Sequence, residues 1–356
     1  MKDSLREKTK RLMKIPGISG QETEVVRFLM EQLAPGADDI FADSMGNLFA
    51  LRRGSRPGPK FMLAAHSDQL GAVVRYVDPS GFLRFEKVGG ILDSLLVGRK
   101  VWVGGVPGIV GLKPGHYQTE EEKRRVPQAE DMYIDVGAGD ADGVRALGID
   151  IGTPVTYMDE MTVFADGNRF AGAGLDDRAG CAVLWQVFEE LSDGDFGGEF
   201  WGVITVQEEV GLRGAGVAGT RLAPDFALAL DTIPCGGTPD VRTDQLHTDI
   251  GLGPVFALVS GRRGQFTAHP KVRKMLTAAA EKCGAPYQPM VFAGGNNDAS
   301  SIQLAGEGVA AASVTLPRRY SHSPVEMGDF RDMVAATNIL ETLVRDMETA
   351  DGFDFI

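Results

Sequence analysis

The sequence predicts an α/β protein that carries a smaller β-rich insert. Before residue 78 and again after residue 170, short apolar runs typical of buried strands alternate with amphipathic stretches of helical period. Between residues 78 and 164 the pattern changes to short β-like runs separated by glycine, without a convincing long helix. A chain of 356 residues is long enough for two or three domains. We therefore expect one α/β domain interrupted by a small β-rich domain.

Local patterns define the individual elements. Helical spacing predicts helices over residues 5–13 and 22–33, the second with Ser19 as its N-cap. Apolar runs predict buried strands over residues 61–65, 200–206, 226–230 and 310–316. An amphipathic helix is expected over residues 177–191, and the last helix over about 329–347. Strands and helices thus alternate on both sides of the insert.

Composition and charge limit the partners of the chain. Its net charge is −13 and its pI is near 4.9, so nucleic acid and anionic membrane surfaces would repel it. No run approaches the ~18 consecutive apolar residues of a membrane span, and the N-terminus lacks the apolar core of a signal peptide. The three cysteines are widely spaced and form no C-x-x-C motif. We expect a cytoplasmic protein without nucleic-acid or membrane partners.

The most informative feature is a set of potential metal ligands that follow the predicted strands. These are His66, the pair Glu208 and Glu209, Asp231 and His322, with Asp176 at the start of a helix. In open α/β sheets the ligand crevice lies outside the carboxyl ends of the strands, so these side chains can converge. Two histidines and three or four carboxylates form a borderline-hard nitrogen and oxygen ligand set, which suits Zn²⁺, Co²⁺ or Mn²⁺ and differs from a thiolate site. The pattern predicts a metallohydrolase.

The residue types suggest different roles within this set. Glu208 and Glu209 are neighbours at a strand end, so one can bind a metal ion while the other faces the metal-bound water. The two oxygens of Asp176 allow it to bridge two ions. Asp68 lies two residues after His66 and can orient the imidazole or a neighbouring group. Together these residues predict a two-metal site that activates water and polarises a carbonyl.

Each residue also has a structural explanation. A Glu–Glu pair at a strand end is more often part of a solvated loop, and His66 alone fits a hydrogen-bonded core histidine. His322 alone fits a turn cap. The joint placement of these residues at strand ends favours the metal site. Three further polar residues are explained equally well by packing or capping and by a functional role: Asp177, Arg178 and Asp298.

Five motifs make a resemblance to a known family specific. In chain order they are His66-Ser67-Asp68, Leu175-Asp176-Asp177-Arg178-Ala179-Gly180, Glu208-Glu209-Val210-Gly211-Leu212-Arg213-Gly214-Ala215, Leu230-Asp231 and Arg319-Tyr320-Ser321-His322-Ser323-Pro324-Val325-Glu326. This order resembles the tetrahedral aminopeptidase family, the glutamyl-aminopeptidase-like and deblocking-aminopeptidase branch of the dinuclear metalloexopeptidases. The likeness runs nearly end to end.

The resemblance implies a domain organisation. It implies a mixed-sheet α/β catalytic domain made of residues 1–73 and 166–356, with a β-barrel-like dimerisation domain inserted at residues 74–165. It also implies a homo-oligomer whose minimum unit is the dimer, with a dodecamer as the common larger assembly.

The resemblance implies a catalytic centre as well. Each chain would bind two divalent metal ions, Zn²⁺ in the first place, with Co²⁺ or Mn²⁺ as alternatives. One ion would take His66, Asp176 and Asp231, and the other Asp176, Glu209 and His322. Glu208 would be the general base, and Asp68 would assist catalysis. We therefore expect an aminopeptidase that hydrolyses N-terminal residues from peptides, with metal-bound hydroxide as the nucleophile.

The chain departs from the family pattern near the substrate. The family often has methionine and glutamate where this chain has Ser67 and Gln69. Its usual Gly-Gly-Thr-Asp-Ala becomes a longer stretch without threonine, Gly294-Gly295-Asn296-Asn297-Asp298-Ala299. That loop lies near the substrate side chain in relatives, so the preferred N-terminal residue is not carried over. The pair Arg262-Arg263 would favour an acidic residue, unless it is simply an exposed basic pair.

Three alternative functions remain. A related metal-dependent deacylase or carboxypeptidase would use the same ligand order. A glycosidase would use Glu208 with a second carboxylate, but it would not require His66 or His322. A catalytically inactive assembly protein could keep the same scaffold, although the intact ligand set and base argue against it.

Overall fold

The computed structural model describes residues 1–158, 160–347 and 353 of the chain. Within these ranges the α-helices are α1 (Lys2–Met13), α2 (Thr23–Leu33), α3 (Ala141–Ala146), α4 (Leu175–Glu190), α5 (Arg213–Leu222), α6 (Pro270–Cys283), α7 (Asp298–Ile302) and α8 (Phe330–Arg345). The strands are β1 (Asp39–Ala42), β2 (Leu48–Arg53), β3 (Arg56–His66), β4 (Gly71–Val77), β5 (Phe82–Val88), β6 (Lys100–Val103), β7 (Val106–Gly111), β8 (Tyr133–Asp135), β9 (Pro154–Tyr157), β10 (Thr162–Val163), β11 (Arg169–Gly172), β12 (Gly197–Thr205), β13 (Phe226–Pro234), β14 (Val255–Ser260), β15 (Phe266–Thr267), β16 (Gln288–Phe292), β17 (Ala310–Arg318) and β18 (Glu326–Asp329). No helix in the described ranges is long and apolar enough to cross a membrane.

The largest sheet contains nine strands of mixed direction. Their order is β1-β2-β12-β3-β13-β17-β14-β15, with β16 paired to β14. The centre is parallel, because β12 pairs with β3, β3 with β13 and β13 with β17 in that sense. Antiparallel pairs occur towards both ends. A second sheet consists of three antiparallel strands in the order β10-β11-β18. The predicted mixed-sheet α/β fold is confirmed.

The central strands are buried on both faces. In β3, Phe61, Leu63 and Ala65 belong to the core that α4 and α8 also fill. The intervening Met62 and Ala64 belong to the core that α5 and α7 fill. Successive side chains of a strand point to opposite faces, so a continuous apolar run is what a strand between two helix layers requires. The two layers hold the central strands, and therefore the residues at their carboxyl ends, in fixed positions.

The insert forms a closed barrel with its own buried core. Six strands close it in the order β4-β5-β8-β7-β6-β9. The chain passes from the main sheet into the barrel at Gly71, shortly after His66. A Cβ atom at Gly71 would lie 2.2 Å from Cγ2 of Ile18 and 2.7 Å from the carbonyl oxygen of Val155, so the close approach of these segments requires glycine. The β-barrel-like character of the insert is confirmed.

The domain boundaries remain a prediction. The barrel strands run from Gly71–Val77 to Pro154–Tyr157, within or close to the predicted insert at residues 74–165. Residue 159 of that insert lies outside the described residues, as do residues 348–352 and 354–356 of the predicted second catalytic part.

Most of the local predictions match the observed elements, with two corrections. The helices predicted at residues 5–13, 22–33 and 329–347 correspond to α1, α2 and α8. The assignment of Ser19 as a helix cap is wrong, because Glu22 is the N-cap of α2 and the Ser19 hydroxyl instead donates to Asp68 Oδ2 at 2.6 Å. Asp231 lies inside β13 rather than after it, because that strand continues to Pro234.

Candidate metal centre

The predicted ligands meet at one edge of the main sheet. His66 ends β3, Glu208 and Glu209 follow β12, and Asp231 lies near the end of β13. These strands are parallel neighbours, so their carboxyl ends lie at the same edge. Asp176 comes from the start of α4, and His322 from the loop after β17. A cavity of about 480 Å³ lies at this edge, and Asp176, Glu208, Glu209, Asp231 and His322 help to line it.

The first half of the site is built around His66. Its Nε2 atom lies 3.2 Å from Asp176 Oδ1 and 3.7 Å from Asp231 Oδ1. All three side chains are buried. The structure thus brings together the three residues that the resemblance assigned to one ion.

The second half of the site is built around His322 and is more open. His322 Nε2 lies 3.8 Å from Asp176 Oδ2 and 3.9 Å from Glu209 Oε2. The two oxygens of Asp176 therefore face different histidines. Oε1 of Glu209 is buried and has no hydrogen-bond partner among the described residues. A buried carboxylate oxygen without a partner is costly unless a cation satisfies it, so this half also fits a metal ion.

Both histidines are oriented in the same way. Nδ1 of His66 lies 3.1 Å from the carbonyl oxygen of Asp68, and Nδ1 of His322 lies 3.3 Å from that of Gly90. A neutral imidazole that donates its Nδ1–H to a carbonyl oxygen has a lone pair on Nε2. In His322, whose pKa burial lowers, this lone pair faces carboxylate oxygens, which is repulsive unless a cation lies between them. Burial would also lower the pKa of His66, but its contacts with Asp176, Asp231 and Asp68 raise it well above the usual range, so in the metal-free protein its Nε2–H donates to Asp176, and a metal ion would have to replace that proton. Carbonyl oxygens commonly fix metal-binding histidines in this manner.

Two clusters in the described part have ligand atoms that all lie within 4.8 Å of one another. One contains His66, Asp176 and Glu209, and the other contains His66, Asp177 and Asp231. Asp177 is therefore closer to the site than its sequence context indicated. Its Oδ1 accepts the Gly180 N–H at 3.0 Å, but its Oδ2 has no hydrogen-bond partner in the described ranges. His322 belongs to neither compact cluster.

Asp68 fixes the backbone of the glutamate pair. Its carboxylate accepts the Ser19 hydroxyl at 2.6 Å, the Glu208 N–H at 3.0 Å and the Glu209 N–H at 3.1 Å. Burial alone would raise the pKa of Asp68, but its contacts with His66 and these donors outweigh burial and lower it. Asp68 therefore stays ionised and contacts both the imidazole of His66 and the backbone of the glutamate pair, whereas the sequence suggested the imidazole or an unspecified neighbouring group.

Glu208 is poised to hold a proton. Burial raises its pKa well above the usual range; His66 lowers it, and repulsion from Asp231 and Asp298 raises it further. A divalent cation among these carboxylates would lower these pKa values, because it is a strong local positive charge. The environment of Glu208 thus suits a group that both accepts and returns a proton.

The sequence reasoning gave no role to two neighbours of the ligands, Arg318 and Glu326. The Arg318 Nη1–H group donates to Asp176 Oδ2 and, at 2.6 Å, to Glu326 Oε1. Glu326 in turn accepts the N–H groups of Asp176 at 3.1 Å and His322 at 2.8 Å. The predicted strand at 310–316 ended before Arg318, whereas β17 includes it. A charged residue at the end of a buried strand was the available signal.

Of the two segments that the sequence connected with substrate preference, one lines the cavity and the other lies on the surface. Gly294, Gly295 and Asn296 line the cavity. Asp298 starts α7, accepts the Thr205 hydroxyl at 2.6 Å and has a pKa raised to about 7 by burial. The pair Arg262-Arg263 is exposed and does not line the cavity, so it is a surface feature.

The fold and the site together define a hydrolase of the metallo-aminopeptidase class. The fold is a mixed sheet with an inserted barrel, and the site has histidines and carboxylates at the ends of neighbouring parallel strands. The chain belongs to the M42 glutamyl aminopeptidase family, whose model matches residues 46–339.

Its relatives support this assignment over nearly the whole chain. An aminopeptidase from the archaeon Desulfurococcus kamchatkensis is 35% identical, with a TM-score of 0.92 over 97% of this chain and 95% of that one. The Pyrococcus horikoshii TET1 peptidase, which can assemble into a tetrahedron or a large octahedral shell, is 31% identical, with a TM-score of 0.84 over 96% and 99%. The lysyl aminopeptidase of Pyrococcus furiosus is 31% identical over 96% of this chain and 97% of its own. The resemblance to the tetrahedral aminopeptidases is confirmed.

Because Asp68 orients both His66 and the glutamate pair, its replacement should disturb the centre without emptying it. We expect Asp68→Asn to lower metal affinity or kcat/KM by about 10–100-fold, the usual effect of removing a group that orients metal ligands. Ser19→Ala, which removes one of the three hydrogen bonds, should have a smaller effect. Calorimetric metal titration and kinetics with aminoacyl-p-nitroanilides measure both quantities. Asp78→Asn, in an exposed turn of the barrel, is the control. An Asp68→Asn protein with wild-type values would contradict this role.

Proposed function

We propose that the chain is a dinuclear metal-dependent aminopeptidase that removes N-terminal residues from peptides. The observation that carries the proposal is the position of Asp176, whose two oxygens face two different histidines, His66 and His322. A second carboxylate, Asp231 or Glu209, lies beside each histidine. A glycosidase needs no such pair of imidazoles.

The proposed ligand sets are those that the family resemblance implies. One divalent ion takes His66, Asp176 and Asp231, and the other takes Asp176, Glu209 and His322. Zn²⁺ is the first candidate, with Co²⁺ or Mn²⁺ as alternatives, since the donors are nitrogen and oxygen atoms. When bound, the ions make water more acidic and polarise the scissile carbonyl.

Glu208 is the proposed general base. It lines the cavity and its N–H is held by Asp68, so its position relative to the ligands is fixed. Glu208 takes the proton of the attacking water and then returns it to the leaving amine. Asp68 holds the backbone of Glu208 and Glu209, and so keeps the two side chains in the positions that their different roles require.

The proposed assembly is a homo-oligomer built from dimers through the barrel. The barrel region exposes several large apolar side chains, among them Trp102, Ile109, Leu147 and Ile151. Exposed apolar residues of this kind are common at subunit interfaces. The assembly of the related TET1 peptidase supports a large oligomer, and a dodecamer is our proposal. The cytoplasm is the proposed location, because all three cysteines are free.

The first prediction of the proposal concerns metal dependence. Removing divalent ions with a chelator should abolish peptide hydrolysis, and Zn²⁺, Co²⁺ or Mn²⁺ should restore it. Activity should also fall in acid, because imidazole and carboxylate ligands must be deprotonated to bind a metal ion. Elemental analysis should find up to two ions per chain. Full activity of metal-free protein on aminoacyl-p-nitroanilides would refute the site assignment.

The second prediction separates the base from the ligand within the glutamate pair. Glu208→Gln should keep both ions, because an amide and a carboxylate are nearly the same size, yet lose proton transfer, a loss of about 10²–10⁴-fold or more in kcat. Glu209→Gln removes a charged ligand, so metal content should fall together with activity, and excess metal should partly restore both. Metal stoichiometry and kcat are measured on both variants at limiting and saturating metal.

Each variant serves as the matched control for the other, because the residues are adjacent and the substitution is identical. If Glu208→Gln loses metal and Glu209→Gln keeps it, the two roles are exchanged. If both variants stay active, neither carboxylate carries the chemistry.

The third prediction concerns assembly. Multi-angle light scattering at micromolar concentration should report a dimer or a multiple of it. Replacing Ile109, which is 53% exposed on the barrel, by aspartate should shift the distribution towards smaller species, because a charge in an apolar interface is costly. A monomeric wild-type protein would rule out the proposed assembly.

A further inference from the structure

Arg318 places a permanent positive charge inside the proposed metal centre. It ends β17, is only 4% exposed and lines the same cavity as the ligands. Its Nη1–H group donates both to Asp176 Oδ2 and to Glu326 Oε1. A guanidinium does not lose its proton in proteins, so this charge is present at every working pH.

The contact of Arg318 with Asp176 is one-sided. Asp176 Oδ1 faces His66, whereas Oδ2, the oxygen that Arg318 contacts, faces His322. An ion in the His322 half would have to share this oxygen with the guanidinium and lie close to its positive charge. An ion in the His66 half would use the other oxygen. The same carboxylate is thus a better ligand for one half than for the other.

The two halves also differ in how closely their ligands approach. His66 Nε2 lies 3.2 Å from its Asp176 oxygen, and His322 Nε2 lies 3.8 Å from the other. The side chain of His322 is 36% exposed and that of His66 is 2% exposed. Solvent competes more effectively for ligands in the open half. Arg178, the other buried arginine of this region, donates to the carbonyl oxygens of Ile15 and Gly17, and no hydrogen bond joins it to a ligand oxygen in the described ranges.

We propose that Arg318 acts as a built-in cation that makes the two metal sites unequal, so that the His322 and Glu209 half binds its ion more weakly than the His66 and Asp231 half. This inference rests on the proposed dinuclear centre. In the metal-free protein Arg318 offsets part of the charge of the buried carboxylates, and in the metal-loaded protein it competes with the second ion for Asp176. Arg318 is thus a positioning residue that sets the order in which the sites fill.

The test is a metal titration of the full-length protein after removal of bound ions. Zn²⁺ and Co²⁺ are titrated by calorimetry with a competing chelator, and the ions retained per chain are counted at defined free-metal concentrations. The wild type should show a tight and a weak step whose dissociation constants differ by about tenfold or more, as one nearby unit charge allows. His322→Ala should remove the weak step, and Asp231→Asn the tight one.

Arg318→Met removes the charge and keeps most of the length of the side chain. The weak step should become about tenfold tighter or more, while the tight step changes by less than about threefold. The melting temperature of the metal-free variant should fall, because the carboxylates lose their internal cation, and added metal should raise it more than in the wild type. Arg319→Met is the matched control, because the neighbouring Arg319 binds Asp249 and does not line the cavity.

The remaining outcomes separate this inference from the proposed function. A wild-type protein that binds two ions with equal affinity overturns the inference, whether or not Arg318→Met folds. Loss of the second ion in Arg318→Met also overturns it, because Arg318 would then support the site instead of weakening it. A wild-type protein that binds no divalent ion contradicts the dinuclear centre itself.

Discussion

The parallel pairing of four neighbouring strands is the constraint on which the rest of the site depends. In the pair β12–β3, Thr205 lies opposite His66, so the glutamate pair begins just beyond the histidine. In the pair β13–β3, Phe226 lies opposite Phe61, and the continuation of that register brings Asp231 level with His66. A shift of one residue would turn His66 and Asp231 to the opposite face of the sheet, because successive residues of a strand face opposite sides. The two apolar cores prevent such a shift, since residues 61–65 of β3 are buried and alternate between the two cores. The cores therefore determine the geometry of the site, although none of their residues contributes a ligand.

The register concentrates negative charge in a buried place. Asp176, Glu208, Asp231 and their neighbours would repel one another without a cation, and burial adds to the cost of ionising them. The structure offsets this charge in three ways. Arg318 contacts Asp176 and Glu326, backbone N–H groups donate to Asp68 and Glu326, and the imidazole of His66 lies between carboxylates. Oε1 of Glu209 has no hydrogen-bond partner in the part of the chain that the structure describes, so these internal partners do not satisfy every carboxylate oxygen of the site. In the proposed dinuclear centre, bound cations would offset the rest of this charge and stabilise the fold.

The sequence predicts the strand ends better than it predicts what surrounds them. Long apolar runs with a histidine or carboxylate at the end gave β3, β12 and β17, since burial on both faces leaves a strong pattern. Local polar contacts leave no such pattern. Ser19 is of a residue type that commonly caps helices, but its hydroxyl donates to Asp68, which lies 49 positions later in the chain. Arg318 lies just past the predicted strand end, and the importance of Asp177 depends on a distance to His66 that only the folded chain sets. Long-range partners of polar groups follow from the tertiary structure, so they could not be derived from spacing.

The barrel also takes part in the centre, which a purely assembling domain would not require. The carbonyl oxygen of Gly90, in the loop after β5, lies 3.3 Å from Nδ1 of His322 and orients that ring. A Cβ atom at Gly90 would lie 3.0 Å from the same nitrogen, so a side chain there would require the ring to shift by a few tenths of an ångström. At Gly89 the backbone adopts φ +84°, a conformation that favours glycine, and a Cβ there would lie 2.3 Å from Leu70. The looser half of the centre is thus held by the segment that leads out of β5. If the chain assembles through the barrel and binds metal as proposed, a subunit contact that stabilises the barrel would also restrain His322, so that assembly and metal binding would act on the same few atoms.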